Sequence, residues 1–104
     1  MIVFIHADGR AELREPGTLN KFRVDIDAGR AVLASITEKT ASLLSFEDDA
    51  TAWVPVSALL AMSGAPQDRM WRDDVHAMME KARPYGWVRD EPAPSIKAHV
   101  VWAD

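Results

Sequence analysis

The chain has 104 residues, 48% hydrophobic and 27% charged, with a formal net charge of −4. That length suits one domain over 1–104 and leaves too little chain for a second core. There is no cysteine, which excludes a disulfide framework, a thiolate metal site and a cysteine nucleophile. A cysteine-free chain fits a reducing cytoplasm, the expected location. Residues 1–65 hold six basic and nine acidic side chains, and residues 66–104 hold six and seven. Neither half has the basic excess that a polyanion or an anionic lipid surface attracts. The start, "MIVFIHADGR", has only a short apolar run before polar residues, unlike a signal peptide. No run approaches the ~20 apolar residues of a membrane-spanning helix, so no membrane association is expected.

In chain order, "IVFIHADGRAEL" reads as a β-hairpin, because Asp8-Gly9 supplies the positive φ of a tight turn. Pro16-Gly17 breaks the chain. "KFRVDID" then alternates with period two, Phe22, Val24 and Ile26 on one face and Lys21, Arg23 and Asp25 on the other, as in a half-buried strand. "AGRAVLASITEKTASLLSF" reads as an amphipathic helix. Val32, Leu33, Ile36, Leu43 and Leu44 fall on one arc, and Asp27 is the candidate N-cap. The threonines at 37 and 40 disfavour helix, so a hairpin turning at "TEKT" stays open for residues 30–46.

"EDDAT" is an acidic loop, Trp53-Val54 a short strand, and Ser57 to Met62 a short helix closed by Gly64 and Pro66. "QDRMWRDDVHAMMEKARPYGWV", residues 67–88, reads as a long helix, a stop at Pro84 and Gly86, and a strand opening at Trp87-Val88. Periodicity centres the helix's buried face on Val75, with Trp71, Met78, Met79 and Ala82 beside it. Trp71 is expected to be largely buried against Leu33 or Ile36. After the turn "RDEPAPS", "IKAHVVW" alternates again, Ile96, Ala98, Val100 and Trp102 against Lys97, His99 and Val101. The strand 96–102 reads as a sheet edge, and exposed edges favour pairing, so a homodimer is expected.

The order from residue 28 onward is helix, strand, helix, turn, long helix, strand, turn, strand. Carried by "WVPVSALLAMSG", "WRDDVHAMMEKARPYGWV" and "GWVRDEPAPSIKAHVVW", it resembles the winged-helix family of helix-turn-helix domains. The resemblance is one of element order and apolar pattern, without a specific motif. It implies an α+β fold in which residues 28–104 form a winged-helix-like three-helix core with a C-terminal β-hairpin wing. An N-terminal β segment, residues 1–27, comprising a hairpin and a strand, precedes it.

In DNA-binding winged helices the third helix faces the groove. The residues matching that face and the wing are Arg69, Arg72, His76, Arg83 and Arg89, the candidate contacts to a partner or nucleic acid. Across 67–83, Arg69, Arg72, Lys81 and Arg83 are balanced by Asp68, Asp73, Asp74 and Glu80. The wing tip sets Arg89 beside Asp90 and Glu91. This balance disfavours DNA and suits the protein-binding use of the fold.

Catalytic patterns are weak. His6, His76 and His99 lie on separate elements without metal-ligand spacing. "EDD" at 47–49 lacks calcium-loop spacing. Asp73 and Asp74 diverge by about 100° on a helix, so they do not converge on one substrate atom. No phosphate-binding glycine loop and no serine-triad context is found, and no cofactor or metal is expected. Trp53, Trp71 and Trp87 read as packing residues, while Trp102 suits either a core cap or a dimer interface. The leading expectation is a non-catalytic interaction module binding protein partners or itself. A small DNA-binding regulator is the alternative. A small α+β enzyme or enzyme accessory subunit follows, and it gains weight if residues 30–46 form two strands.

Overall fold

A computed structural model describes residues 1–15, 22–62, 69–91 and 93–104. Among them the chain forms an α+β fold with three α-helices and a mixed seven-stranded sheet. Strands β1 (Ile2–Ile5) and β2 (Ala11–Arg14) make the expected antiparallel hairpin. Gly9 turns it at φ +92°. Asp8 helps by accepting the Arg10 backbone N–H at 3.0 Å and Arg10 Nε at 2.9 Å. The backbone bond, the larger influence, holds the Asp8 carboxyl below its ordinary range.

Strand β3 (Arg23–Ile26) runs parallel to β1 and buries Val24 and Ile26. Asp27 does not cap a helix. Its backbone N–H donates to the Ile5 carbonyl at 2.8 Å, continuing the ladder between β1 and β3.

Within the segment 30–46 only residues 30–39 are helical, a shorter helix than the apolar arc suggests, and Ser45–Phe46 already belong to a strand. A 3-10 turn (Arg30–Val32) leads into α1 (Leu33–Lys39), and neither start has a side-chain cap. Thr37 and Thr40 donate their hydroxyls back to the carbonyls of Leu33 and Ile36, each at 2.7 Å. Such back-bonding weakens a helix, and the chain turns after Thr40. Ile36 is buried on the helix, whereas Leu44 reaches the core from the following turn and Val32 stays exposed.

Strands β4 (Ser45–Phe46) and β5 (Thr51–Pro55) pair antiparallel. Helix α2 (Val56–Met62) follows β5 directly and buries Val56, Ala58 and Leu59. Gly64 and Pro66, the expected stop, lie outside the described residues, as do Lys21, the Pro16-Gly17 break and the start of the long helix at 67–68. Helix α3 (Arg69–Ala82) ends in a 3-10 turn (Arg83–Tyr85), which Gly86 closes at φ +77°. Strands β6 (Val88–Arg89) and β7 (Ser95–Trp102) complete the sheet.

The strand order is β2-β1-β3-β7-β5-β4, with β6 also on β7. This corrects the reading of 96–102 as an edge. Along β7, residues 95–99 pair with β5, residues 95–96 with β6 and residues 99–102 with β3. It is a central strand, and the edge-pairing reason for a homodimer is gone. Trp102 caps the core: its indole N–H donates to the Asp49 carbonyl at 2.6 Å, and its ring stacks on Phe46.

The helices cover one face of the sheet. Val3, Ile5, Val24, Ile96, Val100 and Trp102 from the strands form one core with Ile36, Leu59, Val75 and Met79 from the helices. The other face is open, with Arg23, His99 and Val101 exposed. Period-two alternation produces this division, because every second side chain of a strand points away from the helices. Helix α3 buries Val75 and Met79, four residues apart on one stripe. Trp71, one turn earlier, is only half-buried and packs at the margin of the core, which corrects its expected deep burial.

Leu59 is fully buried, so Leu59→Ala should cost about 2–5 kcal/mol. Trp71→Ala should cost less than Leu59→Ala in the same urea titration. Gly9→Ala should destabilise by about 1 kcal/mol or more, because its Cβ would meet Lys39 Cβ at 2.7 Å on a left-handed backbone. An unchanged urea midpoint for Gly9→Ala would contradict the turn geometry.

Candidate functional site

Helix α3, the 3-10 turn after it and the β6–β7 hairpin carry all five residues singled out in the sequence, and the structure divides them. Arg69, Arg72 and His76 come together with Asp73 around a shallow depression of about 370 Å³ on the outer face of α3. Arg83 and Arg89 are turned elsewhere.

Arg83 is engaged by two carboxylates. Its Nε and Nη2 donate to Glu80 at 3.3 and 3.2 Å, and its Nη1 and Nη2 donate to Asp90 at 3.0 and 3.4 Å. These bonds, Glu80 first and then Asp90, raise the guanidinium's proton affinity above its ordinary value. The cluster fastens the end of α3 to the hairpin, and two negative charges surround one positive. Arg89 lies with its guanidinium 4.6 Å from the centre of the Trp53 ring, a cation–π distance. Its Nε is buried and finds no acceptor among the described residues. Trp53 itself is buried, and its indole N–H points to Glu47 at 3.4 Å. Arg89 therefore covers a buried tryptophan on the sheet face away from the helices and does not extend into solvent.

A larger feature lies beside these residues. A cleft of about 630 Å³ opens where the end of α3 meets β7. Its origin is topological. Since β5 occupies one edge of β7, β6 and β3 must share the other: β6 reaches Ile96 and β3 begins at His99. Lys97 N–H still donates to the Trp87 carbonyl at 2.7 Å, and the edge opens beyond it. Apolar lining comes from Phe22 ahead of β3, Met78 and Ala82 on α3, and Ile96 and Ala98 on β7. Lys81 supplies a polar group from α3; Lys97, His99 and Thr51 supply theirs from the sheet face that points away from the helices, and among the described residues no carboxylate lines the cleft.

Tyr85 and Trp87 complete the lining. Their rings stack at 5.0 Å between centroids with 27° between planes. They are 70% and 50% exposed, which makes them the largest solvent-facing aromatic surface among the described residues. This corrects the packing assignment of Trp87. The pair flanks Gly86, whose left-handed turn redirects the chain from helix to strand. The signal was visible in "RPYGWV", but a helix stop explained it without any need for exposure. Phe22, Lys97 and His99 had no local signal, since they meet only through sheet pairing.

Among the described residues, no group of three or more histidine, aspartate or glutamate side chains is placed to hold a metal ion. No helix among them is long and apolar enough to cross a membrane.

The exposure of Trp87 has a direct readout. Trp53 and Trp102 are buried and Trp71 is half-buried, so acrylamide should quench mainly Trp87. Trp87→Phe should remove most of the quenchable emission, and an unchanged quenching slope would show that another tryptophan is the exposed one.

Comparison with known proteins supplies no relative: no family model, no curated protein and no solved structure matches the chain.

Proposed function

We propose that the chain is a non-catalytic interaction module of winged-helix type, binding a protein partner through the surface where α3 meets the β6–β7 hairpin. Apart from the short β4 between α1 and β5, the order α1, β5, α2, α3, β6, β7 supports the winged-helix reading, with β5 and β6 on opposite edges of β7 and the helices on one face. The extra strands β1 to β3 extend that sheet beyond β7, and β4 extends it beyond β5. The observation that carries the functional reading is the exposed Tyr85–Trp87 stack. Tyrosine and tryptophan are enriched at protein interfaces and dominate their hot spots.

The electrostatics favour protein over DNA. Glu80 and Asp90 absorb the charge of Arg83, and Arg89 is held over Trp53. Asp73 sits among Arg69, Arg72 and His76. Each phosphate contact contributes about 0.9 to the salt slope of duplex binding, so a surface with few available cations binds duplex weakly. Two strands over residues 30–46 would have given the enzyme reading weight, and that segment holds α1.

Selection from a random peptide display library tests the proposal. Peptides enriched by the wild-type protein should bind Trp87→Ala about tenfold or more weakly, the scale of a lost hot spot. Self-association through the same surface would appear in sedimentation as a concentration-dependent dimer, weakened by the same substitution. Mixed-sequence duplex should bind weakly at near-physiological salt, and Glu80→Gln with Asp90→Asn should strengthen it by releasing Arg83. Enrichment of a palindromic duplex, lost on Arg69→Ala or Arg72→Ala, would overturn the protein-binding reading in favour of a DNA-binding regulator.

A further inference from the structure

We propose that the cleft between α3 and β7 is a binding site for a small organic anion with a flat apolar body, such as an aromatic carboxylate or sulfonate. This goes beyond the partner-binding reading: it shares Trp87 with that surface but stands on the cleft's size, its shape and its lysines.

Size and shape come first. A cleft of about 630 Å³ falls within the roughly 300–1,000 Å³ range of small-molecule sites. Strands β6 and β3 stand at its two ends along β7, so the open stretch of β7 spans only a residue or two, about 3.3 Å each. A peptide adding as a strand has no length to pair with there, whereas a compact ligand fits between the two strands. The carbon-rich lining of Phe22, Met78, Ile96 and Trp87 suits the face of a planar ring.

Charge comes second. The whole chain has 16 acidic and 12 basic side chains, yet the described residues lining the cleft include Lys81, Lys97 and His99 and no carboxylate. The ammonium of Lys81 makes no ion pair among the described residues. That of Lys97 stands 4.0 Å from Glu47, the outer limit of such a pair. Lys81 therefore offers an unpaired positive charge on the α3 side of the opening and Lys97 a loosely paired one on its other side, and the apolar walls lower the local dielectric and strengthen their attraction for an anion. Thr51 adds a hydroxyl beside His99, its partner across β5 and β7.

The test uses two probes that share a ring system. 1-Anilinonaphthalene-8-sulfonate carries an anion, and N-phenyl-1-naphthylamine is its neutral counterpart. The wild-type protein should bind the sulfonate saturably at one site, about tenfold or more tighter than the neutral amine, as expected for charge-assisted contacts. Amide resonances of 81–87 and 96–99 should shift on binding, and those of 70–76 should not. Lys81→Gln with Lys97→Gln should abolish the preference for the anion and leave neutral-probe binding intact. Lys39→Gln, on α1, should change neither. Equal binding of the two probes, failure of either to bind, or a preference that survives the double lysine variant would overturn the proposal. So would an equal loss in Lys39→Gln, since net charge alone would then explain it. The wild-type comparison of the two probes decides the matter even if a variant fails to fold.

Discussion

The pairing of β7 on both edges is the constraint on which the rest of the structure depends. A buried strand must satisfy its backbone N–H and C=O groups on each side, and β7 does so with three partners of unequal length. Antiparallel β5 covers one edge from Ser95 to His99, and β6 and parallel β3 divide the other. Through β3 the N-terminal hairpin joins the sheet that carries the C-terminal hairpin, so the first and last thirds of the chain share one core. Trp102 reinforces this junction by its indole bond to the Asp49 carbonyl. Ala103 and Asp104 add bonds to Ala28 and Arg30.

That pairing also decides where a ligand-sized space arises. Had one long strand covered the second edge of β7, the sheet would be continuous and the end of α3 would pack directly upon it. Two short strands leave an opening between Ile96 and His99, and the side chains around it come from four separate parts of the chain. A cleft at such a junction requires no special loop. It follows from unequal strand lengths, together with a helix that ends beside them.

Helix α3 links this space to the proposed partner surface. Its narrow inner stripe of Val75 and Met79 holds it on the sheet, and the Arg83 cluster ties its end to the hairpin. The same tie uses up charge that a DNA-reading helix would present. Gly86 then turns the chain so that Tyr85 and Trp87 remain outside, stacked on each other instead of packed beneath the helix. Electrostatic neutrality on the outer helix face and aromatic exposure at its end thus lie side by side, and both support the protein-partner proposal.

Alternation and turn chemistry in the sequence determined the local elements: the Asp8-Gly9 hairpin, the buried faces of β3 and β7, and the α3 stripe around Val75. These are set by neighbours within a few residues, where side-chain period and backbone φ dominate. The end of α1 was only half legible, because Thr40 weighs a helical bond against a turn and the packing of Leu44 tips the balance. Strand pairing was not legible at all. An apolar strand reads the same at an edge or in the centre, so 96–102 passed for an edge until β3 and β5 flanked it. For the same reason the cleft, with Phe22, Lys81 and Lys97 far apart in sequence, could be assembled only by tertiary contacts. The fates of Arg83 and Arg89 likewise rested on the hairpin folding back toward α3 and Trp53, since a charged side chain's partner is chosen by distance in space and not by its place in the chain.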